Sequence, residues 1–407
     1  MTLHFLIIDD DQTSIEVEKN LLERAGYTVT ALTSSIDAVQ KILEVHPDVI
    51  LCDLMMPNLD GLALFKKLRA IGGVKQPVFI IITSKHFETD KHQALQEGVD
   101  GFYTKPINPK TFLNEIQQML ADKMCIQFWG VRGTLPVAGN KTARYGGNTN
   151  CVTLQLGKKQ FFIFDAGTGI KELSNYLIQK DDFPLKAKIF ISHPHYDHIN
   201  GFPFFAPLFI KGNEFEIFGT NQGNKTIEEL ISGLMDHVYL PFTINEFSAK
   251  LTFRNLNEET LQFDNVIIDT LLLNHPGRCL GFRVKYHDKV FCYITDNELC
   301  LKDSPYYNQY QEERLIAFIH KADFLVMDST YTDVEYARKI GWGHSSVSRV
   351  VDVAHLAQVK LLCLYHHDPD QFDQQIDAKL QQAIQQLKEK NSVTRCIASH
   401  EGQKFLL

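Results

Sequence analysis

The stretch Ser192-His193-Pro194-His195-Tyr196-Asp197-His198 follows the apolar run Ile189-Phe190-Ile191 near the middle of the chain. It reads H-x-H-x-D-H, with three imidazoles and one carboxylate within six residues. A strand ending at Ile191 releases these side chains into a loop, where all four can turn toward one point. Imidazole and carboxylate suit a borderline divalent ion such as zinc, and first-row transition metals more generally. Such a ligand cluster is rare outside metal and catalytic sites, so the stretch predicts a metal site rather than a set of solvated loop histidines.

Three more candidates each end an apolar run. His275 sits in Leu273-Asn274-His275-Pro276-Gly277, Asp296 in Tyr293-Ile294-Thr295-Asp296-Asn297, and His366 in Leu362-Cys363-Leu364-Tyr365-His366-His367-Asp368. Each alone is unremarkable. Strand ends that share a sheet edge, however, can converge with the central stretch. His366 and His367 compete for one place, because neighbours on a strand face opposite ways. Together these residues resemble the metallo-β-lactamase fold over residues 124–407. The resemblance implies an αββα sandwich with two divalent metals, zinc or manganese, with iron a third candidate. His193, His195 and His275 would hold the first ion. Asp197, His198 and His366 would hold the second, and Asp296 would bridge both. The family pattern aligns on His366 rather than His367.

The first 122 residues read differently. Apolar runs end in polar residues four times: Phe5-Leu6-Ile7-Ile8 before Asp9-Asp10-Asp11, Val49-Ile50-Leu51-Cys52 before Asp53, Val78-Phe79-Ile80-Ile81-Ile82 before Thr83-Ser84, and Gly101-Phe102-Tyr103-Thr104 before Lys105-Pro106. Such strands alternating with helical stretches predict a parallel α/β sheet. Ligands bind at the carboxyl ends of its strands. Three carboxylates gathered there repel one another, which a hard cation such as Mg²⁺ relieves. Asp53 is then set to attack a phosphoryl group, and Lys105 and Thr83 to bind its oxygens.

Residues 1–122 resemble a response-regulator receiver domain. Ile7-Ile8-Asp9-Asp10-Asp11, Asp53-Leu54-Met55-Met56-Pro57-Asn58-Leu59-Asp60-Gly61, Thr83-Ser84 and Lys105-Pro106 match its motifs in order and spacing. The resemblance implies a doubly wound (βα)5 domain with Asp53 as phosphoacceptor and Asp9, Asp10 and Asp53 around Mg²⁺. It also implies Thr83 and Lys105 as phosphate sensors, Phe102 as the switch aromatic, and a histidine kinase as phosphodonor. Ala121-Asp122-Lys123 would be a very short junction, with little slack to absorb motion between the domains.

One fold hosts many reactions, so the chemistry of the second domain must be read from its site. True β-lactamases lack an aspartate bridge such as Asp296, whereas thioester and lactone hydrolases share it. Gly341-Trp342-Gly343-His344-Ser345-Ser346, following Phe324-Leu325-Val326-Met327-Asp328-Ser329-Thr330-Tyr331, resembles the phosphodiesterase branch that includes ribonuclease Z and a cyclic phosphodiesterase of phosphonate breakdown. There the histidine of the H-S-[ST] motif stabilises the phosphoryl transition state or protonates the leaving oxygen. That role would fall to His344, with Asp328 orienting it and Asp197 directing the attacking water. His275 and Asp296 are 21 positions apart, too close for the tRNA-gripping arm that ribonuclease Z carries between them. The expectation is a two-component response regulator whose output hydrolyses a small phosphodiester such as a cyclic nucleotide. Phosphorylation would open the site, close it or drive dimerisation. The alternatives are a thioester or lactone hydrolase and a non-catalytic, phosphorylation-switched scaffold.

Charge favours the small substrate. The 407 residues carry 41 Lys and Arg against 49 Asp and Glu. Residues 1–122 hold 11 basic and 17 acidic side chains, and the remainder 30 and 32. Structured RNA is bound largely through phosphate neutralisation by Lys and Arg, so a nucleic-acid polymer is disfavoured. The eight cysteines include no C-x-x-C pair, and most lie in apolar surroundings. That pattern predicts reduced core thiols in a reducing cytosol. No signal-peptide pattern opens the chain, and no apolar run is long enough to span a bilayer. The aromatic run from Gly201 to Phe209 reads as core. Asp165-Ala166-Gly167-Thr168-Gly169 reads equally as close ligand approach or as a tight strand-to-helix turn.

Overall fold

In the computed structural model, strands β1 (His4–Ile8), β2 (Thr28–Leu32), β3 (Val49–Asp53), β4 (Val78–Thr83) and β5 (Gly101–Thr104) form one parallel sheet in the order β2-β1-β3-β4-β5. The structure describes residues 3–71, 77–84, 88–121, 123–157 and 160–407. Asp122, in the expected junction, lies outside the described residues.

Helices cover both faces of this sheet, which is why β3 and β4 are apolar and buried along their length. The edge strand β2, Thr-Val-Thr-Ala-Leu, is only partly buried; it escaped the reading of apolar runs, which found four strands and not five. Helix Gln12–Arg24 begins where the Asp11 carboxylate accepts from the N–H groups of Thr13 and Ser14. Such a cap contributes about 1 kcal/mol. The sheet order reverses between β1 and β3, so their carboxyl ends open onto one crevice.

By compactness the chain divides into two units, Met1–Lys123 with Leu406 and Met124–Phe405 with Leu407. The second holds β6 (Met124–Gly130), β7 (Cys151–Leu156), β8 (Gln160–Phe164), β9 (Lys186–Ile191), β10 (Glu214–Thr220), β11 (Lys250–Leu256), β12 (Thr260–Phe263), β13 (Val266–Leu272), β14 (Leu280–Tyr286), β15 (Lys289–Ile294), β16 (Phe324–Asp328), β17 (Leu361–Tyr365), β18 (Arg395–Ala398) and β19 (Lys404–Leu406). They form two seven-stranded sheets, β11-β10-β9-β8-β7-β6-β19 and β12-β13-β14-β15-β16-β17-β18. Phe164 and Phe190 of one sheet meet Phe282, Phe291 and Tyr293 of the other in a fully buried core. Helix Ile170–Lys180 packs outside the first sheet, and helices Val347–Leu356 and Asp373–Glu389 outside the second. The layering is therefore αββα. The parallel strands β8 and β9, and β15, β16 and β17, run toward Asp165, His193, Asp296, Asp328 and His366 at their carboxyl ends.

Two local expectations change. Asp197 and His198 do not lie in an open loop; Tyr196–Ile199 is a helical turn, closed by the His198 N–H on the His195 carbonyl at 3.0 Å. The aromatic run divides. Phe202, Phe205 and Leu208 are buried while Phe204 and Phe209 are exposed, because the run forms 3₁₀ turns, which send every third residue inward. Seven cysteines are buried, Cys125 partly so, and all are free thiols. Among the described residues no helix is long and apolar enough to cross a membrane.

Candidate metal centre

Asp296 follows β15 by two residues and is 2% exposed. Its two oxygens face two different groups. Oδ2 lies 3.5 Å from His193 Nε2 and 3.6 Å from His275 Nε2. Oδ1 lies 3.2 Å from His198 Nε2 and 3.1 Å from His366 Nε2. His195 completes the first group through Nδ1, 2.8 Å from His193 Nε2 and 3.2 Å from His275 Nε2. Asp197 completes the second through Oδ2, 3.2 Å from His198 Nε2 and 3.1 Å from His366 Nε2. All seven side chains singled out as metal ligands thus gather in two groups that share one carboxylate. His366, at φ 61°, points into the cluster. His367 points away and meets the Ser399 carbonyl at 3.0 Å.

Four of the five rings have their outward nitrogen on a named oxygen. Nδ1 of His193 meets Ser192 Oγ at 3.1 Å, His198 meets Asp165 Oδ2 at 2.8 Å, His275 meets the Gly343 carbonyl at 2.9 Å, and His366 meets Thr330 Oγ1 at 3.0 Å. Such partners fix ring orientation and favour the tautomer that leaves Nε2 free to ligate. Asp197 Oδ2 accepts from the Thr134 N–H at 2.9 Å and from Asn150 Nδ2 at 3.1 Å. Burial pushes His193, His195 and His275 below the ordinary imidazole range, neighbouring imidazoles add to this, and Asp296 opposes it. Burial works against ionised Asp296, but the surrounding imidazoles outweigh it and hold the carboxyl well below the usual range.

His344 stands against this cluster, its ring stacked on His366 with centroids 4.8 Å apart. Its Nδ1 meets Asp328 Oδ2 at 2.9 Å. Asp328 is fully buried and also accepts from Asn297 N–H and from the N–H and hydroxyl of Thr330. Burial disfavours the imidazolium, yet the Asp328 charge wins and pushes His344 up to about 9.

In the first unit, Asp9, Asp10 and Asp53 gather at the carboxyl ends of β1 and β3. Lys105 Nζ reaches Asp9 Oδ2 at 2.5 Å and Asp53 Oδ2 at 3.0 Å. Thr83, at the end of β4, is buried, and Phe102 is half-buried on β5.

A family model described as "Beta-lactamase superfamily domain" matches residues 161–367, half of the chain. The chain belongs to the beta-lactamase superfamily. A second model, "Response regulator receiver domain", matches residues 5–117, so a receiver domain precedes the superfamily domain. The receiver part is 32% identical over 120 residues to the alkaline phosphatase synthesis transcriptional regulatory protein PhoP of Bacillus subtilis, covering 30% of this chain and 49% of that protein. This chain therefore spans about half the length of that relative. It is 28% identical over 122 residues to the polar-differentiation response regulator DivK of Brucella ovis, covering 30% of this chain and 99% of DivK. Among solved structures, the metallo-beta-lactamase fold protein YhfI from Bacillus subtilis aligns with TM-score 0.52 at 15% identity, covering 70% of this chain and 100% of YhfI. Yeast PDE1 aligns with TM-score 0.52 at 13% identity, covering 70% and 99%. At these identities the likeness is one of fold.

The superfamily fold implies divalent metal ions, and the donor set fits them. Tetrahedral ligation at about 2.0–2.2 Å spaces ligand atoms about 3.3–3.6 Å apart. The distances around Asp296, 3.1–3.6 Å, lie near that spacing, while His193 Nε2 and His195 Nδ1 stand closer at 2.8 Å. Several side chains that serve the superfamily domain escaped the sequence reading. Asp165 stands in a segment that reads equally as close ligand approach or as a tight turn, with no role of its own for the carboxylate. It adopts φ 59° and accepts from His198, from Ser192 and from the Tyr293 hydroxyl. Its signal was a carboxylate ending an apolar strand, the same signal that marked Asp53 and Asp296. Asn150 and Thr330 gave none, because a buried amide or hydroxyl has no pattern of its own.

Proposed function

We propose that the superfamily domain is a dinuclear-metal phosphodiesterase acting on a small phosphodiester such as a cyclic nucleotide, and that the receiver domain controls it through phosphorylation of Asp53. The observation that carries this reading is the His344–Asp328 pair beside the shared ligand groups. Asp328 holds one ring nitrogen of His344 at 2.9 Å, so the ring is fixed beside an anion's binding place with its other nitrogen free to donate a proton.

Two divalent ions, held by His193, His195 and His275 and by Asp197, His198 and His366 with Asp296 shared, would supply Lewis acidity and lower the pKa of water from 15.7 to about 7. Asp197, fixed by Thr134 and Asn150, orients the attacking water. The water gives one proton to solvent, its oxygen bonds to phosphorus, and the ester P–O bond breaks. The departing alkoxide takes the Nε2 proton of His344, which is regained from solvent. Asp328 keeps the other ring proton on Nδ1, so the ring presents Nε2 throughout. General acid help of this kind contributes about 10²–10⁴ in rate. A small substrate suits the short connection between His275 and Asp296, which β14 and β15 fill as a hairpin.

Receiver domains take a phosphoryl group from a phosphodonor such as a histidine kinase. Here the Asp53 carboxylate forms the new P–O bond as the donor's P–N bond breaks, with Mg²⁺ assigned to Asp9, Asp10 and Asp53. Lys105, already between Asp9 and Asp53, pairs with the added charge.

The test is turnover of bis(4-nitrophenyl) phosphate by the full chain with Mn²⁺ or Zn²⁺. Wild-type turnover is expected to exceed that of Asp296→Asn clearly; equal rates reject the hydrolase. Full activity in His344→Ala removes that ring from the mechanism; wild-type turnover of a thioester or lactone but not of the phosphodiester moves the assignment to those substrates. Equal turnover with and without beryllofluoride removes the control and leaves the hydrolase standing.

A further inference from the structure

The segment that follows the bridging aspartate grips the loop that carries His344. Asn297 N–H donates to Asp328 Oδ2, its carbonyl accepts from Ser345 Oγ, and Leu299 N–H donates back to Ser345 Oγ at 3.0 Å. Between them lies Glu298, buried and not part of the chemistry above. Its Oε1 accepts from the Tyr336 hydroxyl and the Gly341 N–H, and its Oε2 from the Gly343 N–H, all at 2.8 Å. The Glu298 backbone is pinned too. Its N–H donates to the Asn274 carbonyl and its carbonyl accepts from Asn274 Nδ2, both at 2.8 Å.

One carboxylate therefore spans the turn immediately before His344. Gly341 and Gly343 lie at φ 84° and 87°, where glycine is unstrained. A Cβ on Gly343 would come within 2.3 Å of His275 Nδ1, so loop and ligand ring are fitted without space between them. Trp342, at the tip, is 61% exposed, so apolar burial contributes little to holding it. Hydrogen bonds to an ionised acceptor are about twice as strong as neutral ones, which suits a carboxylate to this task.

We propose that Glu298 is a positioning residue that sets His344 against the bridging Asp296 by fixing the Gly341–Gly343 turn. Its kinetic consequence rests on the phosphodiesterase reading; its structural consequence does not. In Glu298→Gln the amide must present a donor to one of three donors, so the turn loosens without a change of volume.

Two measurements on the full chain test this. The chain has two tryptophans; in a Trp129→Phe background, excited where tyrosine does not absorb, the emission is that of Trp342. Adding Glu298→Gln is expected to lower its fluorescence anisotropy and raise its quenching by acrylamide; unchanged values overturn the proposal. With bis(4-nitrophenyl) phosphate, Glu298→Gln is expected to lower kcat by about 10–100-fold at unchanged bound metal, the usual effect of an outer partner. In a His344→Ala background the same change should have no further effect, since it acts through that ring. An additive loss, or a loss tracking departure of metal, overturns it. If Glu298→Gln fails to fold, Tyr336→Phe removes one of the three bonds and must show the same dependence on His344. Absence of wild-type turnover rejects the phosphodiesterase reading and leaves the fluorescence result to decide the positioning role.

Discussion

The acidic crevice of the receiver domain and the imidazole cluster of the superfamily domain both collect ligands at the carboxyl ends of parallel strands, yet they are held differently. In the crevice the three candidate ligands are all carboxylates. Asp9 is pushed up by burial, against the pull of Lys105, and Asp10 is exposed. Lys105 spans Asp9 and Asp53. In the cluster, imidazoles surround the carboxylates, and four of the five rings have their outer nitrogen tied to a named oxygen. A crevice of like charges gains from taking up a cation and a phosphoryl group and can give them back. A tethered cage loses little freedom when ions enter, so it is suited to keep them.

The largest expected effect breaks the cage at its shared member. Asp296→Ala should bring metal per chain, measured by inductively coupled plasma mass spectrometry, toward zero and abolish turnover. Asp53→Asn should leave zinc, manganese and iron per chain unchanged and abolish only phosphoryl uptake, followed with acetyl phosphate. Metal lost in Asp53→Asn breaks the comparison, because the two pockets would then not be separable. Next in size, His344→Ala should lower kcat by about 10²–10⁴-fold with metal retained. Smaller again, Asp165→Asn should weaken metal affinity by about 10–100-fold in a chelator competition, by releasing the His198 ring. An unchanged affinity there means that tethering does not distinguish cage from crevice.

That gradient follows what could be read from the residues alone. His193, His195, Asp197 and His198 were legible because they stand within six positions. His275, Asp296 and His366 were legible because each ends an apolar run, and the sheet gathers such ends. The partners that orient them come from distant segments with no shared pattern. Thr330 reaches His366 across 36 positions, and Glu298 reaches Gly341 and Gly343 across 43 and 45. In the fold, fully buried strands were read nearly to the residue, whereas β2 was missed because an edge strand with one wet side carries no apolar run. Lys379 was hidden for the same kind of reason. It sits on a polar helix yet is fully buried, with Nζ donating to the carbonyls of Ser329 and Thr330 and to Gln371 Oε1. The helical period sets position 379 beside Ile376 and Ala383 on the inward face, but a lysine there breaks the apolar stripe instead of marking it.

The smallest effect sharpens the comparison from the receiver side. Glu18, on helix Gln12–Arg24, is 3% exposed. Burial lifts its carboxyl to about 8; the charges of Asp9 and Asp53 add to the lift and Lys105 opposes it. The folded receiver therefore holds a proton on Glu18 that the unfolded chain releases in the ordinary carboxylate range. Stability from this group is complete below that range and is lost as pH rises toward 8. Glu18→Gln keeps the shape and removes the proton. Calorimetry of the full chain between pH 5 and 8 should show the receiver transition, identified by its shift with Mg²⁺ and beryllofluoride, falling with pH in the wild type. In Glu18→Gln that fall should flatten, leaving the variant more stable at pH 8 by on the order of 1–3 kcal/mol. A slope identical in both proteins means that Glu18 is not the group that titrates, and that the crevice does not carry an extra uncompensated carboxylate.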